Sequence, residues 1–415
     1  MNRRLFIKRL VQTGTVSSVA SVAGCQYLFN GSFRNPCLSA EIPQALVENP
    51  LMTKALDGID LSKLWDCHFH LVGNGETAAI DSQPSGVWVN SKMQSWRNPT
   101  QRIQYGFYLN ASCIEEPKLA DSQYMLRVNH LLNQSPQSVK VMLLAFDYHH
   151  NDRGEQDKNL STFYVPNEYA ARLAKMNPRL EWIASVHPYR EDAIEALEWC
   201  HQNGAKAIKW LPPAMNIDPG SARLASFYDK LVALNMPLLT HAGDEKAVHG
   251  EEYQNLANPL KLRVPLERGV KVIVAHCASL GENVDTESPS GRKSSNFELF
   301  TRLMNTPEYR TNLLGDISAI NLVNREPEDI KKLLSNQEWH ERLLYASDYP
   351  LPGVMPIISP RLLARQGLIE SEAVSFLNQV REHNAWLFDL LVKRLMSHQG
   401  AKFQPSVFET SRHFS

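Results

Sequence analysis

Apolar residues along this chain gather in short runs, and each run ends at a residue that can ionise or bind a metal. Residues 61–65 lead into Asp66-Cys67-His68-Phe69-His70. Later runs at 140–146, 180–186, 205–208 and 236–240 end at Asp147, His187, Lys209 and His241; those at 270–275, 310–315 and 342–347 end at His276, Asp316 and Asp348. Read as β-strands, these make eight, the later ones roughly 20–40 residues apart. Between them, stretches such as 191–202 and 222–234 space apolar residues three and four apart, the period of a helix packed on one face. Near-continuous apolar strands alternating with helices predict an α/β fold with a parallel sheet covered on both sides. Eight units predict a (β/α)8 TIM barrel, whose working residues sit at the carboxyl ends of the strands. Strand-capping residues that merely face solvent would explain any one of these ends. Three histidine sites and several acids converging on one face are harder to explain that way.

His68-Phe69-His70 is the sharpest of these ends. Side chains two apart on a strand share a face, about 6–7 Å apart at the backbone, and two parallel imidazoles suit a divalent metal. The same alternation expects Cys67 and Cys277 to point into the strand–helix layer. With no Cys-x-x-Cys spacing, a sulfur-bound zinc is not expected; Cys37, Cys113 and Cys200 have no partner that sequence can assign.

The segments WDCHFH, AKAIKWLPP, MPLLTHAG, VIVAHCAS, NLLGDISA and LLYASDYP, with the closing stretch REHNAWLF at 381–388, resemble the amidohydrolase-related metal-dependent hydrolases. That family includes the aminocarboxymuconate-semialdehyde decarboxylase type. The resemblance spans residues 61–390 and fails between His70 and Asp147. It implies one divalent ion, zinc first and manganese or iron(II) as alternatives, held by His68, His70, His241 and Asp348. It casts Asp348 as both ligand and proton shuttle, and His276 as the group facing the attacking water or the developing oxyanion; in binuclear relatives that histidine binds a second metal. Lys209 fits three roles: a carboxylated bridge between metals, a free cation that captures a carboxylate, or an amine reaching water. The resemblance favours the free cation. Trp210, His187, Asp316 and Arg190 are candidates for the substrate rim, and His149-His150 could reach the mouth. The activity implied is hydrolysis of an amide, ester or lactone of a small molecule, with non-oxidative decarboxylation as the alternative and a non-catalytic binding lipoprotein behind both.

Composition changes little. A chain of 415 residues, 43% hydrophobic, can bury one large core, and a net charge of −1 gives no electrostatic footprint for nucleic acid. A homo-oligomer stays open. The first residues read differently. Arg3-Arg4 with Phe6 and Lys8 resembles a twin-arginine export signal over 1–24, and Val22-Ala23-Gly24-Cys25 resembles a lipoprotein cleavage box. The expectation is export to the periplasmic side and lipid anchoring at Cys25. A tether would follow at 25–60, then the barrel at 61–395 with an insertion at 74–135 forming a lid or substrate wall, and a tail at 396–415.

Overall fold

The computed structural model describes residues 34–76, 83–245, 251–355 and 357–414. The export signal and Cys25 lie outside them. Among the described residues the chain forms eight parallel strands: β1 (Trp65–His70), β2 (Lys140–Leu144), β3 (Leu180–Ile183), β4 (Ile208–Trp210), β5 (Leu238–His241), β6 (Val272–Ala275), β7 (Leu313–Asp316) and β8 (Leu343–Leu344). Neighbours pair in chain order. A bridge from Ala184 to Ile208 joins β3 to β4, and one from Phe69 to Tyr349 brings the chain after β8 back to β1. Ring closure is made by His70 N donating to Tyr349 O at 2.9 Å and Asp348 N donating to His68 O at 2.9 Å. This is a (β/α)8 barrel. Its outer helices are α1 (Ala120–Asn133), α2 (Asn167–Met176), α3 (Ala193–Gln202), α4 (Ala225–Ala233), α5 (Arg263–Glu267), α6 (Asn296–Met304), α7 (Pro327–Ser335) and α8 (Ala373–His383), with α9 (Ala385–Leu395) following.

Two layers of core result from the alternation. Inside the barrel sit Met142, Leu144, Ile183, Ala207, Leu239, Ile273, Ala275, Leu314, Leu344 and Ala346. Between strands and helices lies the larger layer, with Val141, Leu143, Trp182, Val272, Val274 and the apolar faces of the helices.

Two expectations are corrected. The first strand begins at Trp65, not in the 61–65 run, because Asp60 caps a short 3-10 turn at Leu61–Lys63. Cys67 does not point outward but joins the inner layer. The pairing of β1 with β2 slips between Asp66 and Phe69, so two residues of β1 oppose one of β2. Such a bulge turns Cys67 and His68 inward together, and it re-aims a side chain at a barrel rim.

The domain edges also move. Residues 34–60 are not a free tether: helices Gln44–Val47 and Pro50–Leu56 put Leu46, Met52 and Ala55 into the outer core, and Cys37 is disulfide-bonded to Cys113 with Cα atoms 5.5 Å apart. The tail is packed as well, with Phe403, Val407 and Phe408 buried. Phe414 joins the inner layer beside Trp65 at the amino-terminal end of the barrel, a burial worth about 2 kcal/mol. Finally, α1 belongs to the outer ring, since Tyr124, Met125, Val128 and Leu131 are core residues. The true insertion therefore ends before Ala120, and its main element is the helix Pro99–Ala111.

Candidate metal centre

The carboxyl ends of β1, β5, β6, β7 and β8 converge. His68 Nε2, His70 Nε2 and the Asp348 carboxylate lie within 4.8 Å of one another, as do His68, His276 and Asp316. His70 Nε2 is 3.0 Å and His68 Nε2 3.6 Å from Asp348 Oδ1, while His276 Nε2 is 3.9 Å from Oδ2. Asp348 takes a left-handed φ of 59°, which Asp tolerates better than most residues, just before the cis Tyr349-Pro350 bond. His276, Cys277 and Ala278 are left-handed in succession, turning the chain sharply as it leaves β6. Cys277 Sγ donates to Asp316 O at 3.2 Å and anchors that turn.

Hydrogen bonds fix which ring nitrogens are free. His68 Nδ1–H donates to Asp316 Oδ2 at 3.0 Å, which leaves the Nε2 lone pair toward Asp348. His276 Nδ1–H donates to Ser318 Oγ at 2.8 Å, and that hydroxyl in turn donates a hydrogen bond to Asp316 Oδ1. Oδ1 also accepts from His276 N at 3.0 Å and Ser318 N at 2.9 Å. A carboxylate behind a metal-ligand imidazole is the usual way to set its tautomer. Burial holds His68 and His276 well below the ordinary histidine value, so both are neutral, the form that lends a lone pair. Burial alone would raise Asp348, but the hydrogen bond from His70 and the nearby charge of Lys209 counter it, and the carboxyl lies below its usual range. An N/O set of this kind fits a divalent ion.

His241 ends β5 beside this group, its ring 5.3 Å from that of His276, but it is not one of the mutually close set. Its Nε2–H donates to Gly243 O at 3.1 Å, and Nδ1 lies 3.6 Å from Glu245 Oε2. Nδ1 is thus the nitrogen left to bind. Lys209 points inward from β4, 1% exposed, and its Nζ donates to His68 Nε2 at 3.1 Å. The ammonium and a metal compete for one lone pair.

The other rim candidates are not at the rim. Trp210 follows Lys209 and so faces outward, fully buried, with its ring 5.2 Å from Phe227 and Nε1 donating to Val186 O at 2.9 Å. His187 is fully buried with both ring nitrogens used: Nε2–H donates to Met215 O at 2.6 Å and Nδ1 accepts from Tyr189 N at 3.2 Å. Arg190 and Asp147 pair at 3.0 Å in the same brace. His149 and His150 are buried against Ala214 O and Tyr148 O. Asp316, fully buried, touches histidines rather than open space. Glu245, Ser318, Arg325 and Tyr108 were not singled out from the sequence. Tyr108, on the insertion helix, is near enough to feel Glu245 and Asp348. That helix packs on the turn after Asp348, where a Cβ on Gly353 would meet Ala111 O at 2.5 Å, so the insertion walls one side of the site. Ser318, two residues past a strand-end acid, was the only one of the four with a usable sequence signal.

No protein-family model matches the chain, and no curated protein is similar to it in sequence. Solved structures with a similar outline include a Pseudomonas putida protein described as a 2-pyrone-4,6-dicarboxylic acid hydrolase, at 13% identity and TM-score 0.43 over 85% of this chain and 96% of that one. Another is the IDCase of Metarhizium anisopliae, at 12% identity and TM-score 0.43 over 88% and 98%. A third is the 4-oxalomesaconate hydratase LigJ of Rhodopseudomonas palustris, at 16% and 0.38 over 77% and 97%. At these scores neither fold nor activity follows from the likeness; the barrel stands on its own strand pairing.

Proposed function

We propose that this chain is a metal-dependent hydrolase that cleaves an amide, ester or lactone bond of a small molecule. The observation that carries the reading is the cluster of His68 Nε2, His70 Nε2 and Asp348, with the His68 tautomer set from behind by Asp316. His68, His70 and Asp348 would hold the ion, with His241 Nδ1 beside them; zinc suits the donors best, with manganese or iron(II) as alternatives. Bound there, a divalent ion polarises a carbonyl and lowers the pKa of water. Asp348, kept as a carboxylate, receives a proton at Oδ2. His276, with Nδ1 committed to Ser318, presents Nε2 to the same space 3.9 Å from Oδ2, where it can orient an oxygen or relay that proton. Lys209 supplies positive charge beside His68. The helix Pro99–Ala111 excludes water from one side.

Non-oxidative decarboxylation is the second reading. The buried cations Lys209 and Arg325 near Asp348 favour it, since they suit a carboxylated substrate. Zinc-loaded protein assayed on an ester and lactone panel, and on carboxylated aromatics with carbon dioxide detection, separates the two. Hydrolysis that disappears in His70→Ala is expected. Carbon dioxide release without hydrolysis replaces the first reading with the second, and turnover of neither panel by metal-loaded protein contradicts both.

We also infer export by the twin-arginine route and acylation at Cys25, from Arg3-Arg4 and the Val22–Cys25 box. The Cys37–Cys113 disulfide supports an oxidising compartment. Mass spectrometry of native protein should find a lipid-modified Cys25 at the amino terminus; an unmodified Met1 in a cytoplasmic fraction contradicts it.

A further inference from the structure

Arg325 stands in the loop after β7, 9% exposed; its backbone N–H donates to Leu322 O at 3.0 Å, and its guanidinium has a single hydrogen bond to protein among the described residues, Nε to Ala319 O at 3.2 Å. Neither Nη has a partner there. Ala319 directly follows Ser318, whose hydroxyl holds His276, so the guanidinium is anchored one residue from a group of the centre. Asp348 is the first of the charges it feels and Glu245 the second, and its own charge reaches His241 and His276. Burial pushes it down to about 10, so it stays a cation at neutral pH. The nearby groups are already engaged: Asp348 with His68 and His70, Glu245 against His241, and Lys209 with His68.

A buried cation without a partner is costly, and a guanidinium with both Nη groups free matches the two oxygens of a carboxylate. We propose that Arg325 determines specificity by pairing with a carboxylate of the substrate, fixing the bond to be cleaved against Asp348 and His276. This rests on the metal-centre reading and names the class of substrate: small molecules carrying a carboxylate apart from the reacting bond.

Benzoate and benzamide, equal in shape and different in charge, serve as probes. Their affinities are measured by calorimetry on zinc-loaded full chain for wild type, Arg325→Gln and Arg325→Lys, with metal content determined on the same samples. Wild type should prefer benzoate. Arg325→Gln should lose about tenfold or more of benzoate affinity while benzamide binding and metal content hold. Arg325→Lys, with charge but no fork, should fall between. Benzoate bound no better than benzamide by wild type, an unchanged Arg325→Gln, or equal weakening of both probes overturns the assignment. A wild type that takes up no metal yet shows Arg325-dependent benzoate preference sinks the hydrolase reading and leaves the anion site standing.

Discussion

Replacing Asp316 with Asn changes one atom and should disarm His68. Asp316 Oδ1 serves three donors, His276 N, Ser318 N and the Ser318 hydroxyl, whereas Oδ2 serves only His68 Nδ1–H. The Asn carbonyl oxygen therefore takes the Oδ1 place, and its NH2 faces His68 Nδ1. Two donors cannot face each other, so the His68 proton moves to Nε2, the bond from Lys209 Nζ to that nitrogen is given up, and the metal-facing lone pair is lost. Disturbing such a carboxylate–histidine pair costs about 10–100-fold in metal affinity, equivalent to about 1.4–2.7 kcal/mol. Three of the four hydrogen bonds survive, so folding stability should fall by only about 1–3 kcal/mol. Competition with a chromophoric chelator measures the first quantity and urea unfolding the second. Wild-type metal affinity in Asp316→Asn would refute the tautomer reasoning, and so would metal loss that merely tracks unfolding.

Burial keeps His187 well below the ordinary 6.5, lowers His340, and takes His413 down to about 4. At these histidines the unfolded chain binds protons first as pH drops, a loss of stability below about pH 6.5 that Asp66, raised to about 7 by burial, and Asp329, raised to about 6, oppose. The histidine contribution is therefore read as a difference: His413→Gln should lose less stability than wild type between pH 7 and 4, and an equal loss contradicts this. The Cys37–Cys113 bond closes a separation of 76 residues, so the double Ser variant should lose about 2–4 kcal/mol, read as a lower Tm that reductant no longer changes. Gly243 has φ +89°, and a Cβ there would meet Leu280 O at 2.8 Å. Gly243→Ala should cost about 1–3 kcal/mol and shift the carbonyl that holds His241; unchanged stability and activity would show that carbonyl to be dispensable.

The barrel was legible because buried parallel strands must be apolar throughout, and each ended at a residue whose type stood out. Strand period alone put His68 and His70 on one face. It misplaced Cys67 because a bulge adds a residue without altering composition. Asp316 looked like a rim acid, since sequence does not separate a carboxylate that meets substrate from one that sits behind an imidazole. Trp210 was misread although Lys209 beside it faces inward, which sends Trp210 outward by alternation. The stretch 34–60, broken by Pro36, Pro43 and Pro50, hid Leu46, Met52 and Ala55, three anchors too sparse to show a helical period. Arg325 lay in a loop, where no period points to a face.

Anomalous diffraction from crystals of the active protein, recorded at a transition-metal edge, tests the central claim most directly. The account predicts one peak per chain, bounded by His68 Nε2, His70 Nε2 and the Asp348 carboxylate, with Lys209 unmodified, and no peak in His70→Ala. Fully active protein without such a peak contradicts it, as would two ions about 3.5 Å apart joined through a carboxylated Lys209.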